Sequence, residues 1–277
     1  MASILAVVNQ KGGVGKTTIA INLSACLAEK GLEVLLIDCD PQASATMGLL
    51  LQPPPSSRSL YAGLLNEARA EDLIVSTATT NFYLLPSHQD LAGLEVELLE
   101  SPDGRIVLRH FIQTLPSNFD WIVLDSPPSL TLMTINCFVA ADYLLIPVIC
   151  DFFSLQGLGR LMETLRLIQS SWNPALSVAG IVRTFYDGRT NLAQAVSSEL
   201  DRHFPQLLLQ TTIPRTVRLA EAPSHGLPII LYEAHGVAAN AFRRLTEEIL
   251  DKIHWRPGPP PVPFGGRSHS PAHNDRL

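Results

Sequence analysis

A glycine-rich segment with two lysines, Asn9-Gln-Lys-Gly-Gly-Val-Gly-Lys-Thr-Thr18, constrains the fold more than any other part of the chain. It lies between an apolar run, Ile4–Val8, and a segment with helical spacing, Thr17–Lys30. Glycines let a backbone curl closely around an anion, and the positive end of a helix attracts phosphate. The order strand, loop, helix therefore predicts an α/β fold with a nucleotide site at the start of the first helix.

The loop fits most of the common phosphate-binding pattern G-x-x-x-x-G-K-[ST]. Gly15, Lys16 and Thr17 match the pattern, whereas Gln10 occupies the first glycine position. Lys16 is expected to reach the β and γ phosphates, and the Thr17 hydroxyl is expected to ligate Mg²⁺. A simple strand-to-helix turn would account for the glycines, but it would not account for the lysine and the hydroxyl together.

Short apolar runs, each followed by a helical segment, recur along the chain, which is typical of βαβ units and a parallel sheet. Their Val, Ile and Leu content favours strands that are covered on both faces. The predicted strands are Ile4–Val8, Val34–Ile37, Phe82–Leu85, Trp121–Leu124, Tyr143–Pro147, Val178–Val182 and Leu207–Ile213. The predicted helices are Thr17–Lys30, Leu130–Ala141, Leu155–Ser171, Asn191–Phe204 and Val237–His254. We expect a single-domain P-loop NTPase with a mostly parallel twisted sheet flanked by helices.

The composition agrees with one folded domain followed by a tail. With 277 residues, of which 46% are hydrophobic and 17% charged, the chain can bury one continuous core. We place the ATPase domain at residues 1–254 and a disordered Pro/Gly-rich tail at 255–277. The tail is no amphipathic helix with a basic face, and no apolar run reaches about 18 residues, so we expect no membrane contact. Because we find no export signal either, we expect a cytoplasmic protein.

The four cysteines, Cys26, Cys39, Cys137 and Cys150, show no C-x-x-C spacing, so neither zinc nor a redox pair is indicated. Buried thiols are the simpler interpretation. An iron–sulfur cluster shared between two subunits is the alternative, because it needs only two cysteines from each chain.

Carboxylates follow two of the predicted strands. Asp38 and Asp40 come after Val34–Ile37, and Asp125 comes directly after Trp121–Leu124. Open α/β sheets bind ligands at the carboxyl ends of their strands, where an aspartate can hold Mg²⁺ directly or through water. Any one of these aspartates alone would be explained as a helix cap or turn residue. Together with the phosphate loop they predict a hydrolytic site.

Five segments carry a family resemblance, which covers the chain from residue 2 to about residue 250. They are Lys11-Gly-Gly-Val-Gly-Lys-Thr-Thr18, Asp38-Cys-Asp-Pro-Gln42, Asp125-Ser-Pro-Pro-Ser129, Tyr186-Asp-Gly-Arg-Thr190 and Ile213-Pro-Arg-Thr-Val-Arg-Leu-Ala-Glu-Ala-Pro-Ser-His-Gly226. The chain resembles the ParA/Soj branch of the deviant-Walker ATPases, a group that also contains MinD and the nitrogenase iron protein. The resemblance implies a partner-stimulated ATPase that uses ATP and Mg²⁺, with Thr17, Asp38 and Asp125 near the metal.

The resemblance also assigns roles around the nucleotide. Lys11 matches the lysine that crosses a dimer interface to the partner's nucleotide, Asp40 the residue that orients the attacking water, and Asp125 the residue that senses the metal and the γ phosphate. Pro214 is expected to stack on adenine, with Arg215 beside it. The implied nucleotide contacts in the loop are Lys11, Gly12, Gly13, Val14, Gly15, Lys16, Thr17 and Thr18.

DNA binding without sequence preference is a further implication. Arg189 and Arg218 match the family's DNA-binding arginines, and Arg183 and Arg215 lie close to them in sequence. Residues 183–277 hold 11 Lys/Arg against 9 Asp/Glu, whereas residues 1–182 hold 9 against 17. Such arginines neutralise backbone phosphates and release counterions. The alternative is that Arg218 pairs with Glu221 on one helix face.

The partners implied are a second copy of the chain in an ATP-dependent homodimer, double-stranded DNA on the nucleoid, and a ParB-like protein. The leading interpretation is an ATPase that partitions a chromosome or plasmid. A related ATPase that positions a protein cargo along the nucleoid would keep the same motifs. A MinD-like division-site regulator and an iron–sulfur reductase are the remaining alternatives.

Overall fold

One eight-stranded sheet forms the centre of the computed structural model, which describes residues 2–50 and 52–255. Its strands are β1 (Ser3–Val7), β2 (Val34–Asp38), β3 (Val75–Ser76), β4 (Phe82–Leu85), β5 (Trp121–Asp125), β6 (Tyr143–Ile149), β7 (Ser177–Tyr186) and β8 (Leu208–Pro214). Their order is β3-β4-β2-β5-β1-β6-β7-β8, and every neighbouring pair is parallel except β3 with β4. The predicted α/β fold with a mostly parallel sheet is confirmed.

Helices cover both faces of this sheet. They are α1 (Lys16–Glu29), α2 (Ser44–Leu50), α3 (Leu60–Leu64), α4 (Ala70–Leu73), α5 (Leu91–Leu99), α6 (Val107–Gln113), α7 (Leu132–Ala140), α8 (Ser154–Ser171), α9 (Asn191–His203), α10 (Val217–Glu221), α11 (Ile229–Tyr232) and α12 (Val237–Lys252), with 3₁₀ turns at Ser56–Arg58 and Ala222–His225. Each predicted helix occurs within two residues of its predicted bounds. The sequence prediction misses β3 and the shorter helices, because such short segments show too little periodicity.

Alternate residues of the central strands pack into two apolar clusters, one on each face of the sheet. In β1, Leu5 and Val7 belong to the cluster that includes residues of α1 and α12. Ala6 and Val8 belong to the cluster that includes residues of α7 and α8. Since both faces are covered, the strands need apolar residues at successive positions, as the Val, Ile and Leu runs predict.

The parallel pairing brings the ends of four adjacent strands, β2, β5, β1 and β6, to one edge of the sheet. Val7, Asp125 and Asp38 are neighbours in register across β1, β5 and β2. Because adjacent strands lie about 4.8 Å apart, the two aspartates are side by side where the loop after β1 begins. The fold therefore concentrates the predicted chemistry at this edge, called the carboxyl edge below.

The proposed tail is the part of the sequence prediction that the structure leaves open. Residues 256–277 lie outside the described residues, so the boundary between 1–254 and 255–277 stays a prediction. Among the described residues, no helix has both the length and the apolar character needed to cross a bilayer.

Candidate nucleotide-binding and hydrolysis site

The loop between β1 and α1 is shaped by two glycines in the left-handed region. Gly13 has φ 72° and Gly15 has φ 88°, values that glycine adopts at no steric cost. Gly15 is the N-cap of α1, so the helix begins at Lys16. The first backbone N–H groups of a helix have no intrahelical acceptor and are free to bind an anion. This arrangement suits the binding of a phosphate group.

Strand β7 supports the loop from a neighbouring element. The Thr184 hydroxyl donates to the backbone carbonyl of Val14 at 2.7 Å. The ring of Phe185 lies against Gly15, where a Cβ atom would come within 3.1 Å of it. Phe185 itself has φ 50°, an uncommon value for an aromatic residue. Gly15 is thus needed both for its φ and for the space that Phe185 occupies.

Lys16 lies near the aspartates of the carboxyl edge. Its side chain is largely buried, with 7% exposure, and its Nζ lies 3.3 Å from the backbone carbonyl of Lys11. Burial lowers the pKa of Lys16, while the negative charges of Asp125 and Asp40 act in the opposite direction. The structure therefore places one ammonium group close enough to the predicted catalytic carboxylates to feel their charge.

Asp38 is fully buried and is fully engaged by its own chain. Its Oδ2 accepts hydrogen bonds from the Thr46 backbone N–H at 2.8 Å and the Thr46 hydroxyl at 2.7 Å. Its Oδ1 accepts one from the backbone N–H of Asp40 at 3.2 Å. Burial raises the pKa of Asp38 to about 6, although the bonds from Thr46 lower it. With both oxygens occupied, Asp38 is suited to act on a metal at a distance more than to bind it directly.

Asp125 differs from Asp38, because both of its buried carboxylate oxygens lack a hydrogen-bond partner of good geometry among the described residues. Burial, followed by the charge of Asp38, raises its pKa well above the usual value, whereas the nearby Thr17 hydroxyl and Lys16 lower it. An unpaired buried carboxylate beside a hydroxyl offers the hard oxygen ligands that Mg²⁺ prefers. The residues present therefore fit a magnesium ion.

The protein alone offers few ligands to such an ion. No group of three or more His, Cys, Asp or Glu side chains able to hold a metal occurs in the described part of the chain. Mg²⁺ commonly uses one or two carboxylates and completes its shell with phosphate oxygens and water. Thr17 and Asp125 match that mode, with Asp38 behind them.

Asp40 lies at the mouth of the same site, with 8% exposure. Its Oδ1 accepts a hydrogen bond from the backbone N–H of Gln42 at 2.9 Å. Its backbone carbonyl accepts one from the Ser87 hydroxyl at 2.6 Å, and the Ser87 N–H donates to the Thr46 hydroxyl at 2.9 Å. Ser87 and Thr46 thus fix Asp38 at the end of β2 and Asp40 just after it. The sequence prediction missed both residues, although Ser87 follows β4 at the same edge.

Lys11 forms an ion pair that the sequence prediction did not anticipate. Its Nζ contacts Oδ2 of Asp151, and the two side chains are 37% and 35% exposed. The other oxygen of Asp151 accepts from the Phe153 N–H at 3.2 Å and the Ser154 hydroxyl at 2.8 Å. Burial raises the pKa of Asp151, but the bonds from Lys11 and Ser154 outweigh it, so the pKa lies below its usual value. Asp151 follows β6, so the strand-end reasoning applied to Asp38 and Asp125 could have found it.

The predicted adenine pocket lies further along the same edge. Pro214 is half-buried at the end of β8 and pairs in register with Tyr186 of β7. Arg215, the next residue, is exposed. No contact in the structure tests the stacking of Pro214 on a base, so that assignment stays a prediction.

Two of the predicted DNA-binding arginines are exposed and paired with carboxylates. The Arg189 side chain is 90% exposed, and its guanidinium donates to both carboxylate oxygens of Asp187 at 2.8 and 2.7 Å. Arg218 is 58% exposed and donates to Glu221 at 3.1 Å, in the i, i+3 pairing that was the alternative for it. Such exposed pairs are weak, so both arginines remain accessible to phosphates.

Arg183 is held inside the fold, unlike those two arginines. Its guanidinium donates to the Ser197 hydroxyl at 2.8 Å and to the backbone carbonyls of Leu209 at 2.8 Å and Gln210 at 3.2 Å. These contacts join β7 to α9 and β8. The geometry gives Arg183 a structural role, and its contact with DNA stays a prediction.

All four cysteines are free and buried. This placement agrees with the interpretation as buried thiols. A cluster shared with a second subunit would require thiolates at the surface.

Comparison with known proteins places the chain in a family. A family model described as an AAA domain matches residues 2–178. The sporulation initiation inhibitor protein Soj of Bacillus subtilis is 42% identical over 249 residues, which cover 90% of this chain and 98% of that protein. The chromosome-partitioning ATPase Soj of Treponema pallidum is 42% identical over 250 residues, covering 90% and 98%. The chain belongs to the Soj/ParA family.

A solved structure supports the cofactor prediction for this Soj/ParA chain. Cobyrinic acid a,c-diamide synthase from Mycobacterium smegmatis, with bound ADP and magnesium, matches with a TM-score of 0.79 and 31% identity. The match covers 92% of this chain and 96% of that one. ATP and Mg²⁺ as cofactors are confirmed at the level of the family, in agreement with the oxygen ligands that Thr17 and Asp125 present.

Proposed function

We propose that this Soj/ParA chain is an ATPase that dimerises when it binds ATP, coats double-stranded DNA without sequence preference and drives partition of a chromosome or plasmid with a ParB-like partner. The observation that carries the proposal is the arrangement at the carboxyl edge. Lys16 is buried among Asp40 and Asp125, while Lys11 stands half-exposed on the same loop.

The hydrolytic part of the proposal assigns one task to each side chain. Lys16 and the first N–H groups of α1 hold the β and γ phosphates. Thr17 and Asp125 would hold Mg²⁺, with Asp38 behind them, and a bound ion would supply positive charge against the phosphates. Asp40, at the mouth of the site, accepts a hydrogen bond from the attacking water and orients it. Hydrolysis is slow until the ParB-like partner binds.

The switch depends on Lys11. A lysine on a half-exposed loop can leave its carboxylate partner and reach the phosphates of a nucleotide bound by a second copy. ATP bound between two copies stabilises the dimer by a free energy that grows with the logarithm of the ATP concentration. The variant Lys11→Ala should therefore bind ATP and stay monomeric. Normal dimerisation of that variant would refute the assigned role.

The DNA surface combines Arg189, Arg215 and Arg218, all of which are exposed. Phosphate contacts of this kind carry no sequence information, so binding should be uniform across sequences. A dimer presents two such surfaces, which strengthens binding to one duplex through effective concentration. In this way the nucleotide state controls retention on DNA.

One experiment tests the site, the switch and the DNA surface together. DNA retention is measured with ATP, ADP and no nucleotide across a salt series. We expect binding with ATP alone, and a slope of log affinity against log salt of about −0.9 for each phosphate neutralised. Equal retention in all three nucleotide states would refute the proposed switch.

A further inference from the structure

Two buried hydroxyl side chains connect the end of β4 to the residues that follow β2. Ile37 of β2 pairs in register with Leu85 of β4, so Ser87 lies at the carboxyl edge two residues beyond that pair. Ser87 and Thr46 are both completely buried, with 0% exposure. Polar groups buried to this extent almost always have hydrogen-bond partners. The partners of these two hydroxyls are both aspartates of the candidate site.

Hydrogen bonds through these two residues run without a break from Asp38 to Asp40. The Thr46 hydroxyl donates to Oδ2 of Asp38 at 2.7 Å and accepts from the Ser87 N–H at 2.9 Å. The Ser87 hydroxyl donates to the backbone carbonyl of Asp40 at 2.6 Å. Thr46 and Ser87 are called the hydroxyl clamp below. Movement of the Asp40 main chain away from β4 must break the last of these bonds.

The turn that the hydroxyl clamp holds contains an unfavourable backbone conformation. Ala43 has φ 53°, in the left-handed region that residues with a side chain seldom adopt. The backbone carbonyl of Asp40 accepts from the Ala43 N–H at 2.8 Å, and its Oδ1 accepts from the Gln42 N–H at 2.9 Å. Such conformations persist where the surrounding structure fixes them. The Ser87 hydroxyl binds the same Asp40 carbonyl and supplies a restraint from outside the turn.

We propose that Ser87 and Thr46 are positioning residues for ATP hydrolysis. Ser87 holds the main chain of Asp40, so that the Asp40 carboxylate lies where it can orient the attacking water. Thr46 fixes the main chain of Ser87 against Asp38. The proposal rests on the role given to Asp40 above, and it adds the two residues through which that role depends on the end of β4.

Loss of the hydroxyl clamp should affect the rate of hydrolysis more than the binding of ATP. Displacement of a catalytic group by about 1 Å can lower a rate about a hundredfold. The phosphates, in contrast, are bound by Lys16 and the first N–H groups of α1, which have no hydrogen bond to Ser87 or Thr46 among the described residues. A change that lowers kcat and leaves KM unaltered removes an interaction needed in the transition state alone.

The test removes each hydroxyl of the clamp in the full chain. With Mg²⁺ and saturating ATP, Ser87→Ala and Thr46→Val should each release phosphate at least about tenfold more slowly than wild type, with KM for ATP within about twofold. Thr46→Ser keeps the hydroxyl and should restore at least about half of the wild-type rate. Thr246→Val is the matched control, because Thr246 is equally buried and its hydroxyl donates to the Phe242 carbonyl within α12 at 2.9 Å. This control should keep the wild-type kcat.

A double variant shows whether Ser87 acts through Asp40. Ser87→Ala combined with Asp40→Ala should hydrolyse ATP no more slowly than Asp40→Ala alone, because the Ser87 bond cannot position a carboxylate that is absent. Independent losses that multiply would overturn the proposal, and so would a wild-type kcat in Ser87→Ala or Thr46→Val.

Two further results separate the hydroxyl clamp from a general effect on folding. A loss of kcat in Thr246→Val as large as that in Thr46→Val, or a Thr46→Ser rate as low as that of Thr46→Val, would also overturn the proposal. If Ser87→Ala loses ATP binding as well, the comparison of Thr46→Val with Thr46→Ser decides by itself. The proposed function fails separately, when Asp40→Ala hydrolyses ATP at the wild-type rate.

Discussion

The carboxyl group of Asp125 supports the sharpest prediction, because its surroundings disfavour the charged form in the absence of a metal. It is fully buried, its two carboxylate oxygens lack a hydrogen-bond partner of good geometry among the described residues although the Thr17 hydroxyl is nearby, and its register neighbour is Asp38. The positive charge of Lys16 offsets only part of the effect that these surroundings have on the charged form of Asp125. The variant Asp125→Asn keeps the size of the side chain and removes the charge, so the nucleotide-free protein should become more stable.

The size of the gain follows from the unpaired group. A buried polar group without a partner costs about 1–3 kcal/mol, and a charged one costs more. The amide of Asn is still polar, so we expect a net gain of about 1–2 kcal/mol from the loss of charge. For a chain of this size each kcal/mol moves the melting temperature by about 2–4 °C, which gives a rise of about 2–8 °C.

Thermal unfolding with and without Mg²⁺ and ATP separates this stability effect from the function of Asp125. Ligand at 100 times its Kd stabilises a protein by about 2.7 kcal/mol, and Asp125→Asn should lose most of that gain. The order of the two melting temperatures should therefore reverse when Mg²⁺ and ATP are added. Asp142→Asn is the control, because Asp142 accepts a hydrogen bond from the Ile4 N–H at the opposite edge.

Two results would refute this reasoning. A nucleotide-free Asp125→Asn protein that melts below wild type would mean that the carboxylate is stabilised by its surroundings. A variant that keeps the whole shift with Mg²⁺ and ATP would mean that Asp125 is not part of the metal site. The Asp142→Asn control should show the wild-type ligand shift and no rise in melting temperature.

Three further changes test the rest of the site. Asp40→Ala should bind ATP but release phosphate at least about a hundredfold more slowly, since a positioned base contributes that much; normal turnover would contradict its role. Arg189→Glu with Arg218→Glu should abolish DNA retention at moderate salt and keep ATP-dependent dimerisation, whereas Arg202→Glu, an exposed arginine on α9, should do neither. Burial raises the pKa of Asp38 from 3.8 to about 6. The stability that depends on protonated Asp38 is present below pH 3.8 and is lost as the pH rises through about 6, so the free energy of unfolding of the nucleotide-free protein should fall over this range. Urea titrations at pH 4.5 and 7 measure this, and Asp38→Asn should reduce the difference.

Much of the architecture was predictable because the fold repeats one unit, an apolar strand followed by a helix. Runs such as Trp121–Leu124 are apolar at every position, which separates buried parallel strands from amphipathic ones. The rule that ligands bind where parallel strands end then brings Asp38 and Asp125 to one edge without any coordinates. The register that makes them direct neighbours depends on strand order, which the sequence pattern does not contain.

The contacts that fix the site were harder to predict, because they join residues whose types are common. Thr46 lies eight positions after Asp38, on a helix too short to show periodicity, yet it supplies two hydrogen bonds to that aspartate. For Arg183, in contrast, the sequence prediction assigned a functional role where the contacts show a structural one. It is close to Arg189 in sequence, but its guanidinium contacts Ser197 and the start of β8. Sequence proximity grouped two arginines that the fold separates.

The two lysines of the phosphate loop differ in what the protein does with each charge. Lys16 is buried beside Asp40 and Asp125, so its ammonium is committed to one place and offsets carboxylates that would otherwise repel phosphate. Lys11 has a partner too, but its ion pair with Asp151 is partly exposed and therefore easy to exchange. A fixed lysine can bind the phosphates of ATP and ADP alike. An exchangeable lysine can change its partner according to which nucleotide is present. The proposed switch needs one fixed and one exchangeable lysine, and the burial of each side chain decides which of the two it is.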